Sequence, residues 1–442
     1  MRISDVLKAL RTPGILTVHP VSPLEEEFPR NGTGKSKARA PQDFSSETCV
    51  SPVEILHELS VATSFFTRTP FADAEQLWRN LRHCGMLGTY RKPRNPREYL
   101  VLANSASDVV YYYKATQSER LGIGLAIVVA KRRLHKRYPD HVFHAVDAEF
   151  FLNSEYAGRI GSRLRGDGTG GRPDYFLVGG NRAGTSAEVF VLECKGTHGG
   201  FGTVGKQLTK ARRQVKSVEL GNRAPGSLTV ASQFAKSGVT AHVLGAPGSG
   251  NLWSGSTSAF HALLDREPER GELVLRSPTG DENSSEPPRI VHVPEDHRTW
   301  FLQVLTRFAA ASALRFAGDM ATAKQYTSPR DDAPRQLSLF DEQLSREPSP
   351  EASLDTFTLP DGTTFEGRLY TVSLPHRKVL RVRCGLESRL YHALRDGQLA
   401  RYWQHARKVH GRLSGERGRW ASDDGVISVG PGGTIMTIDV AA

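Results

Sequence analysis

The segment from residue 171 to residue 199 constrains the fold more than any other part of the chain, because it reads as two buried strands joined by a turn. The first apolar run covers residues 175–178, and the second covers residues 189–193. The Gly-Gly-Asn cluster at 179–181 predicts the turn between them. The second run is apolar on both faces, which is typical of a strand in the middle of a sheet. We therefore predict a buried hairpin inside an α/β fold.

Three charged side chains stand where the two strands meet at one end. Asp174 begins the first strand, and Glu193 and Lys195 end the second. Because strand side chains alternate between faces, Glu193 and Lys195 point to the same side and Cys194 points to the other. If Asp174 pairs across from Glu193, two carboxylates and one ammonium group meet at one point.

The chemistry of this cluster favours a divalent metal. Two carboxylates a few ångströms apart repel each other unless a cation lies between them, and hard oxygen ligands favour Mg²⁺ or Mn²⁺. A metal held there can polarise a phosphoryl oxygen, and Lys195 can stabilise the negative charge that develops. The alternative is a surface hairpin whose cross-strand ion pair contributes only about 0.2–1 kcal/mol. Charges at the end of a buried strand favour the metal site, since burying them is costly.

The pattern Pro173-Asp174, a spacer and Glu193-Cys194-Lys195 resembles the PD-(D/E)xK, or restriction-endonuclease-like, nuclease superfamily. That resemblance implies an α/β fold with an αβββαβ core and a metal-dependent hydrolase that cleaves phosphodiester bonds, most often in DNA. It implies that Asp174 and Glu193 bind Mg²⁺ or Mn²⁺ and that Lys195 is the catalytic lysine. Such nucleases, endonucleases among them, act in restriction, antiviral (phage) defence or repair, and many work as homodimers.

The elements around the hairpin follow the order that the resemblance implies. A helix is predicted from residue 118 to about 138, and residues 141–152 read as a strand. A helix at 202–218 and a strand at 228–234 come after the hairpin. Together these elements predict the order αβββαβ, which covers about residues 118–246.

Two further residues join the predicted site through the resemblance. Glu119, near the start of the helix before the hairpin, stands where many relatives carry an acidic residue, and it would add a carboxylate to the metal site. It would equally favour the positive N-terminus of its own helix, and both interpretations stay open. Gln207, on the helix after the hairpin, matches a glutamine that exonuclease-like branches place near the active site. Ala211 stands where those branches often have a tyrosine, so the chain departs from the pattern of that branch at this position.

The helix after the hairpin also carries five cations with no acid between them. The whole chain has a net charge of +11, which favours a polyanionic partner. We predict that these side chains contact a DNA backbone, and the alternative is a solvated helix face. The five cations are Lys206, Lys210, Arg212, Arg213 and Lys216.

Composition divides the 442 residues into five parts. Residues 1–50 give a short helix and a polar linker, and residues 51–110 give a helical N-terminal region. Residues 111–322 form the nuclease-like domain, and 323–353 form a flexible linker rich in Pro, Ser and acids. Residues 354–442 form a small α+β C-terminal domain, for which the sequence indicates no more than an accessory binding role.

A short peptide in the predicted linker places apolar side chains in a polar stretch. It is similar to the peptide by which bacterial replication and repair proteins dock on the sliding clamp. The alternative is a segment that packs back on its own domain. The candidate partner-binding residues are Gln336, Leu337, Leu339 and Phe340.

The sequence also indicates where in the cell the protein resides. The longest apolar run, residues 121–130, is about half the length needed to cross a bilayer, and the first residues lack the apolar core of a signal peptide. The four cysteines are scattered, which fits a reducing compartment. We therefore expect a cytoplasmic protein.

Two other functions stay open at this point. The first is a non-catalytic DNA-binding protein with a relict nuclease fold, in which the charged cluster can be mutated without effect on binding. The second is an adaptor that docks on a partner such as the sliding clamp through residues 336–340.

Overall fold

The structure is a computed structural model with a mixed α/β fold, built around one large curled sheet. Two smaller sheets accompany it, one of three strands and one of five strands in the C-terminal part, and helices pack on the large sheet and on the five-stranded sheet. None of the described helices is both long and apolar enough to cross a membrane. The structure describes residues 3–20, 46–65, 81–92, 96–107, 111–164, 171–269, 271–276, 290–329, 354–416 and 425–441.

Within these residues the chain forms helices and strands throughout its length. The helices are α1 (Ile3–Arg11), α2 (Pro52–Ala62), α3 (Asn104–Ser107), α4 (Tyr111–Arg137), α5 (Ala148–Leu152), α6 (Phe201–Val215), α7 (Thr257–Asp265), α8 (Arg298–Ala317), α9 (Met320–Thr327), α10 (Ser388–Arg395) and α11 (Leu399–Glu416). The strands are β1 (Gly14–Pro20), β2 (Glu47–Val50), β3 (Leu87–Arg91), β4 (Glu98–Leu102), β5 (His141–Asp147), β6 (Tyr175–Asn181), β7 (Ser186–Thr197), β8 (Val218–Leu220), β9 (Gly226–Ala235), β10 (Gly238–Ala246), β11 (Asn251–Ser254), β12 (Val274–Arg276), β13 (Ile290–Val293), β14 (Asp355–Thr358), β15 (Thr364–Ser373), β16 (Val379–Glu387), β17 (Gly425–Val429) and β18 (Thr434–Ala441).

The large sheet has the strand order β3-β4-β1-β10-β9-β7-β6-β5, with β2 paired to β1 and β11 paired to β7. Strands β5, β6 and β7 are antiparallel neighbours, and β9 runs parallel to β7. Strand β1 pairs with β10 in parallel. The N-terminal part therefore contributes strands to the same sheet as the hairpin. Strands β1 and β2 lie where the sequence indicated a helix and a linker, and β3 and β4 lie in residues 51–110, which it indicated as helical.

Strand β7 is buried on both faces, as its sequence predicts. Val189 and Val191 lie in the apolar cluster that includes the side chains of α8, and Leu192 and Cys194 lie in the cluster that includes those of α4. The strand therefore lies between two helical layers, and its alternation sends Cys194 into the layer formed with α4. Burial on both sides fixes the register of the hairpin, because a slip of one residue would exchange the two faces.

The turn of the hairpin lies further along the chain than residues 179–181, where the Gly-Gly-Asn cluster predicts it. Gly179 and Gly180 belong to β6, and the chain turns near Gly184, whose φ is 67°. A Cβ on Gly179 would overlap the ring of Phe143, and one on Gly180 would lie 2.7 Å from the indole nitrogen of Trp403. The predicted turn at 179–181 is wrong because these glycines leave room for aromatic rings on the sheet.

Two predicted boundaries around the hairpin also differ. Helix α4 begins at Tyr111, well before Ser118, so Glu119 lies inside the helix and not at its N-terminus. The interpretation of Glu119 as a partner of the helix dipole is therefore wrong. The predicted strand at 141–152 ends at Asp147, whose carboxylate accepts the Phe150 N–H at 2.7 Å and caps α5.

The C-terminal part forms a five-stranded sheet in the order β14-β15-β16-β18-β17. A turn at Asp361 and Gly362 joins β14 and β15. Strand β16 is followed by the two helices α10 and α11, which are separated at Gly397, whose φ is 75°. This sheet packs against α8, and residues from both parts of the chain share one apolar cluster.

Candidate active site

Asp174, Glu193 and Lys195 lie together at one end of the hairpin. The register of β6 and β7 pairs Tyr175 with Leu192, which brings Asp174 opposite Glu193. The Lys195 Nζ donates to Glu193 Oε1 and lies 3.9 Å from Asp174 Oδ2. These three residues form the candidate site.

Backbone amides hold both carboxylates in place. The Asp174 N–H donates to Glu193 Oε2 at 3.0 Å, and the Cys194 N–H donates to Asp174 Oδ2 at 2.8 Å. Each carboxylate is therefore fixed by the strand that carries the other one. Such reciprocal bonds position the two acids without relying on flexible side chains.

The candidate site is buried to different degrees. The Glu193 side chain has no exposed surface, whereas those of Asp174 and Lys195 are 34% and 21% exposed. Burial, and next the Asp174 carboxylate, raises the pKa of Glu193 well above its usual range. Burial alone lowers the pKa of Lys195, but the two carboxylates outweigh it and the net pKa is raised, so the lysine stays charged. The pKa of Glu193 is raised although Lys195 opposes the change, because burial and then the Asp174 carboxylate outweigh that one cation.

The donor set of the candidate site fits a hard divalent cation. Asp174 and Glu193 supply carboxylate oxygens, which Mg²⁺ and Mn²⁺ prefer. In the part of the chain that the structure describes, no group of three or more His, Cys, Asp or Glu side chains lies close enough to hold a metal. Two carboxylates suffice for Mg²⁺, which usually keeps several waters and binds phosphate oxygens of a substrate.

A further carboxylate beside the candidate site was not predicted. Asp147, at the end of β5, is buried, and burial with smaller contributions from Glu149 and Asp174 raises its pKa to about 7. Glu149 pairs with Arg172, and the Ala148 N–H donates to the Asp174 carbonyl at 3.0 Å. The signal in the sequence was an acid directly after an apolar run, on a strand adjacent to that of Asp174.

Glu119 is not joined to the candidate site by any contact. It is exposed on α4, and among the described residues no hydrogen bond or ion pair links it to the three charged side chains. Helix α4 meets β7 through backbone instead, since Gly122 lies against Gly196 and a Cβ on Gly196 would overlap the Ser118 carbonyl. The proposed metal role of Glu119 stays a prediction.

Gln207 lies on α6 next to the strand that carries Lys195. Its side-chain amide donates to the carbonyl of Gly196 at 3.2 Å. Gln214, on the same face of α6, donates to the carbonyl of Arg172 at 3.3 Å. Helix α6 is therefore hydrogen-bonded to the backbone beside Lys195 and to the backbone near Asp174. Gln207 contacts the backbone of the candidate site and not its charged atoms.

The cations of α6 lie away from the face that packs on the sheet. That face is apolar and contains Val204, Leu208 and Val215. Arg212 is half-buried, and the other four are exposed. A row of exposed cations thus follows the candidate site on the next element of the chain. The exposed ones are Lys206, Lys210, Arg213 and Lys216.

The predicted clamp-binding peptide lies outside the described residues. Its residues Gln336, Leu337, Leu339 and Phe340 therefore stay a prediction from the sequence.

Comparisons with known proteins add no assignment. No protein-family model matches the chain, and no curated protein or solved structure matches it either. The geometry of the candidate site therefore has to carry a functional assignment.

Proposed function

We propose that the chain is a metal-dependent nuclease that hydrolyses phosphodiester bonds, with DNA as its substrate. The observation that carries the proposal is the meeting of Asp174, Glu193 and Lys195 at the end of a buried hairpin. Lys195 lies between the two acids, but the pKa of the buried Glu193 stays raised, so the cost of burying one acid beside another is offset only in part. A divalent ion at this point would both offset that cost and serve phosphodiester chemistry.

The order of elements supports a restriction-endonuclease-like core. Helix α4 is followed by the antiparallel strands β5, β6 and β7, then by α6 and by β9, which is parallel to β7. Apart from the short helix α5 and the strand β8, which belongs to a separate sheet, this sequence of elements is αβββαβ. The candidate site lies where β6 begins and β7 ends, which is the place that the resemblance implies.

Each residue of the candidate site has a role in the proposed reaction. Asp174 and Glu193 would hold Mg²⁺ or Mn²⁺, which when bound polarises a phosphoryl oxygen and acidifies a water. Lys195, kept protonated by its two neighbours, stabilises the negative charge that develops on the phosphate oxygens. The backbone amides of residues 174 and 194 keep both carboxylates oriented, so that little reorganisation accompanies the reaction.

The exposed cations of α6 support a nucleic-acid substrate, because they can neutralise phosphates beside the candidate site. We place the enzyme in restriction, phage defence or DNA repair on the resemblance alone, and in the cytoplasm because the four scattered cysteines fit a reducing compartment. The same resemblance favours a homodimer. The peptide at 336–340 would add docking on the sliding clamp.

A cleavage assay tests the proposal. Purified protein is incubated with supercoiled plasmid, linear duplex, single-stranded DNA and RNA, each with Mg²⁺, Mn²⁺ or a chelator. We expect cleavage of DNA that needs the divalent ion and that falls about 100-fold or more in Lys195→Ala. Lys324→Ala, which removes an exposed cation of α9, is the matched control and should cleave at the normal rate. Absence of cleavage on every substrate, or cleavage that Lys195→Ala leaves unchanged, contradicts the proposal.

A further inference from the structure

The C-terminal part carries a groove lined by cations. The groove has a volume of about 640 Å³ and lies between the turn that joins β14 to β15 and the helices α10 and α11. We call it the basic groove. Its charged and titratable lining residues are Arg389, Arg401, His405, Lys408, Arg412 and Glu387.

The acids beside the basic groove pair with one of its cations, Arg412. Glu387 is buried, and its carboxylate accepts the Leu390 N–H at 3.1 Å at the start of α10. The Arg412 guanidinium lies 3.9 Å from Glu387 and 3.8 Å from Asp361, and it donates to Thr363. The carboxylate thus serves a helix end and a neighbouring arginine on one side of the groove.

Two cations of the basic groove are available for a ligand. Arg389 and Lys408 have no hydrogen bond or ion pair with any residue that the structure describes. Arg401 is exposed and donates to the side chain of Gln398 at 3.0 Å. Three cations therefore present their charge to the open side of the groove.

The basic groove continues onto the large sheet. His405 lies close enough to Arg182, in the turn between β6 and β7, for that charge to act on it. Partial burial, then Lys408 and Arg401, and finally Arg182 lower the pKa of His405, with Glu387 opposing them. The histidine is therefore neutral at physiological pH, and the local potential is set by the surrounding cations.

The chemistry of the lining matches phosphate groups and not bases. Tyr402 and Trp403, the aromatic residues of the same helix, are buried against the sheet, and Trp403 lies beside His144 with ring centroids 5.0 Å apart. No base can stack on them. The groove offers guanidinium and ammonium groups, which contact the sugar-phosphate backbone without regard to sequence.

The basic groove is distant from the candidate site. Asp174 stands at one end of β6, and Arg182 follows the other end. At about 3.3 Å per residue the strand separates them by roughly 25 Å. That distance corresponds to about seven base pairs of duplex at 3.4 Å each. A ligand in the groove would therefore not compete with a phosphate at the candidate site.

We propose that the basic groove is a second nucleic-acid contact, which binds the phosphate backbone of a duplex away from the candidate site. This inference deepens the proposed function and rests on it in one respect, namely that the polymer held in the groove is the one that is cleaved. Such a contact would supply affinity without sequence preference.

Binding measured without divalent metal tests this inference independently of catalysis. The change in fluorescence anisotropy of a labelled duplex of about 30 base pairs is followed from about 50 to 300 mM salt in chelator. The wild type is compared with Arg389→Glu/Lys408→Glu and with Lys8→Glu/Lys324→Glu. The second pair changes the net charge equally at exposed positions that do not line the groove.

We expect the groove variant to lose at least about tenfold in affinity, and the slope of log K against log salt to become shallower by about two. The control pair should stay within about threefold of the wild type, since distant surface charges are screened by salt. Arg389→Gln/Lys408→Gln should lose affinity in the same direction, which guards against a folding defect in the charge-reversed variant.

Three results would overturn the inference. The first is an equal loss of duplex affinity in the groove and control variants, and the second is unchanged affinity in the groove variant. The third is displacement of the duplex by inorganic tripolyphosphate at micromolar concentration, which would indicate a site for small anions. A protein that binds duplex through the groove but never cuts would refute the proposed function and keep this inference. A protein that cuts in a metal-dependent way while the groove variant binds normally would refute this inference alone.

Discussion

Each carboxylate of the candidate site accepts a backbone N–H from the strand that carries the other, and Lys195 bonds to Glu193. The sequence was sufficient to predict this meeting, because alternation sets the faces of Glu193 and Lys195 and the hairpin sets the position of Asp174. Asp147 was missed because a lone acid after an apolar run gives no sign of where the strand ends. Asp147 caps α5 because β5 ends at this residue and the helix begins at the next one.

Replacing Asp174 tests the metal at the residue scale. Asp174→Asn keeps an oxygen for the Cys194 N–H but removes one charge from beside Glu193. In chelator the variant should be no less stable than the wild type, because a repulsion between acids is gone. Added Mn²⁺ should raise the melting temperature of the wild type and leave that of the variant unchanged, since a ligand stabilises only the protein that binds it. Thermal unfolding followed by circular dichroism checks both, and equal Mn²⁺ shifts would refute the metal assignment.

Removing Lys195 should lower the stability of the fold, whereas Asp174→Asn should not. Lys195→Met leaves two carboxylates without their cation, one of them fully buried, and should lower the free energy of unfolding by about 2–4 kcal/mol in chelator. Adding Glu193→Gln to that variant should recover most of the loss, because a buried amide needs neither the cation nor the proton that a buried carboxyl group requires. Urea denaturation of the single and double variants measures the effect. A loss that the second substitution does not reduce would show that Lys195 stabilises the fold in some other way.

At the scale of elements, α4 and β7 cross at backbone contact distance. Gly122 lies against Gly196, and Gly196 lies against the carbonyl of Ser118. The helix and the strand could be predicted from the sequence but their crossing could not, because the partners of a glycine are distant in the chain. The same reason explains why the predicted turn at 179–181 is wrong. The rings of Phe143 and Trp403 occupy the space that side chains at 179 and 180 would fill, and both rings come from distant parts of the chain.

Substitution of Gly196 tests the crossing. Gly196→Ala places a Cβ onto the Ser118 carbonyl, so α4 or β7 must shift next to Lys195. We expect a loss of about 1–3 kcal/mol in the free energy of unfolding, together with a fall in cleavage rate. Gly202→Ala is the matched control, because a Cβ there meets nothing within 4 Å and lies in α6, where alanine is favoured by up to about 1 kcal/mol. Urea denaturation compares the two, and an equal effect of both would refute the contact.

At the scale of the whole molecule, the C-terminal sheet and helices pack on the part that carries the candidate site. His57 of α2 bonds to Ser428 and to Thr434, each at 3.0 Å, and His144 of β5 lies beside Trp403 of α11. The sequence indicated the sheet and helices of this part, but the shared core arises from contacts between distant segments. Strand β1 was missed for the same reason, since it pairs with β10 far along the chain.

The buried His144 predicts how this packing responds to acid. Burial, with a smaller effect of Lys131, lowers the pKa of His144 from 6.5 to about 3. Below pH about 6.5 His144 is protonated in the unfolded chain but stays neutral in the folded chain, which favours unfolding. The stability that the neutral, buried His144 allows is therefore complete above pH about 6.5 and is lost as the pH falls toward 3. The slope approaches about 1.4 kcal/mol per pH unit for this one group. Urea denaturation between pH 7 and pH 4 should show a weaker decline in His144→Phe than in the wild type.

The exposed His135 provides the control for that series. His135→Gln should follow the wild-type profile, because an exposed histidine is solvated in both states. Identical profiles for His144→Phe and the wild type would show that the histidine is not held neutral by its burial.

The most direct test of the central claim is the initial rate of duplex DNA cleavage as a function of Mn²⁺ concentration, for the wild type and for Asp174→Asn. If Asp174 and Glu193 hold the metal, the wild-type rate rises from zero and saturates, and the variant stays near the rate without metal at every concentration. A variant that saturates at the same Mn²⁺ concentration and the same rate would contradict the claim that these residues form a metal-dependent nuclease site.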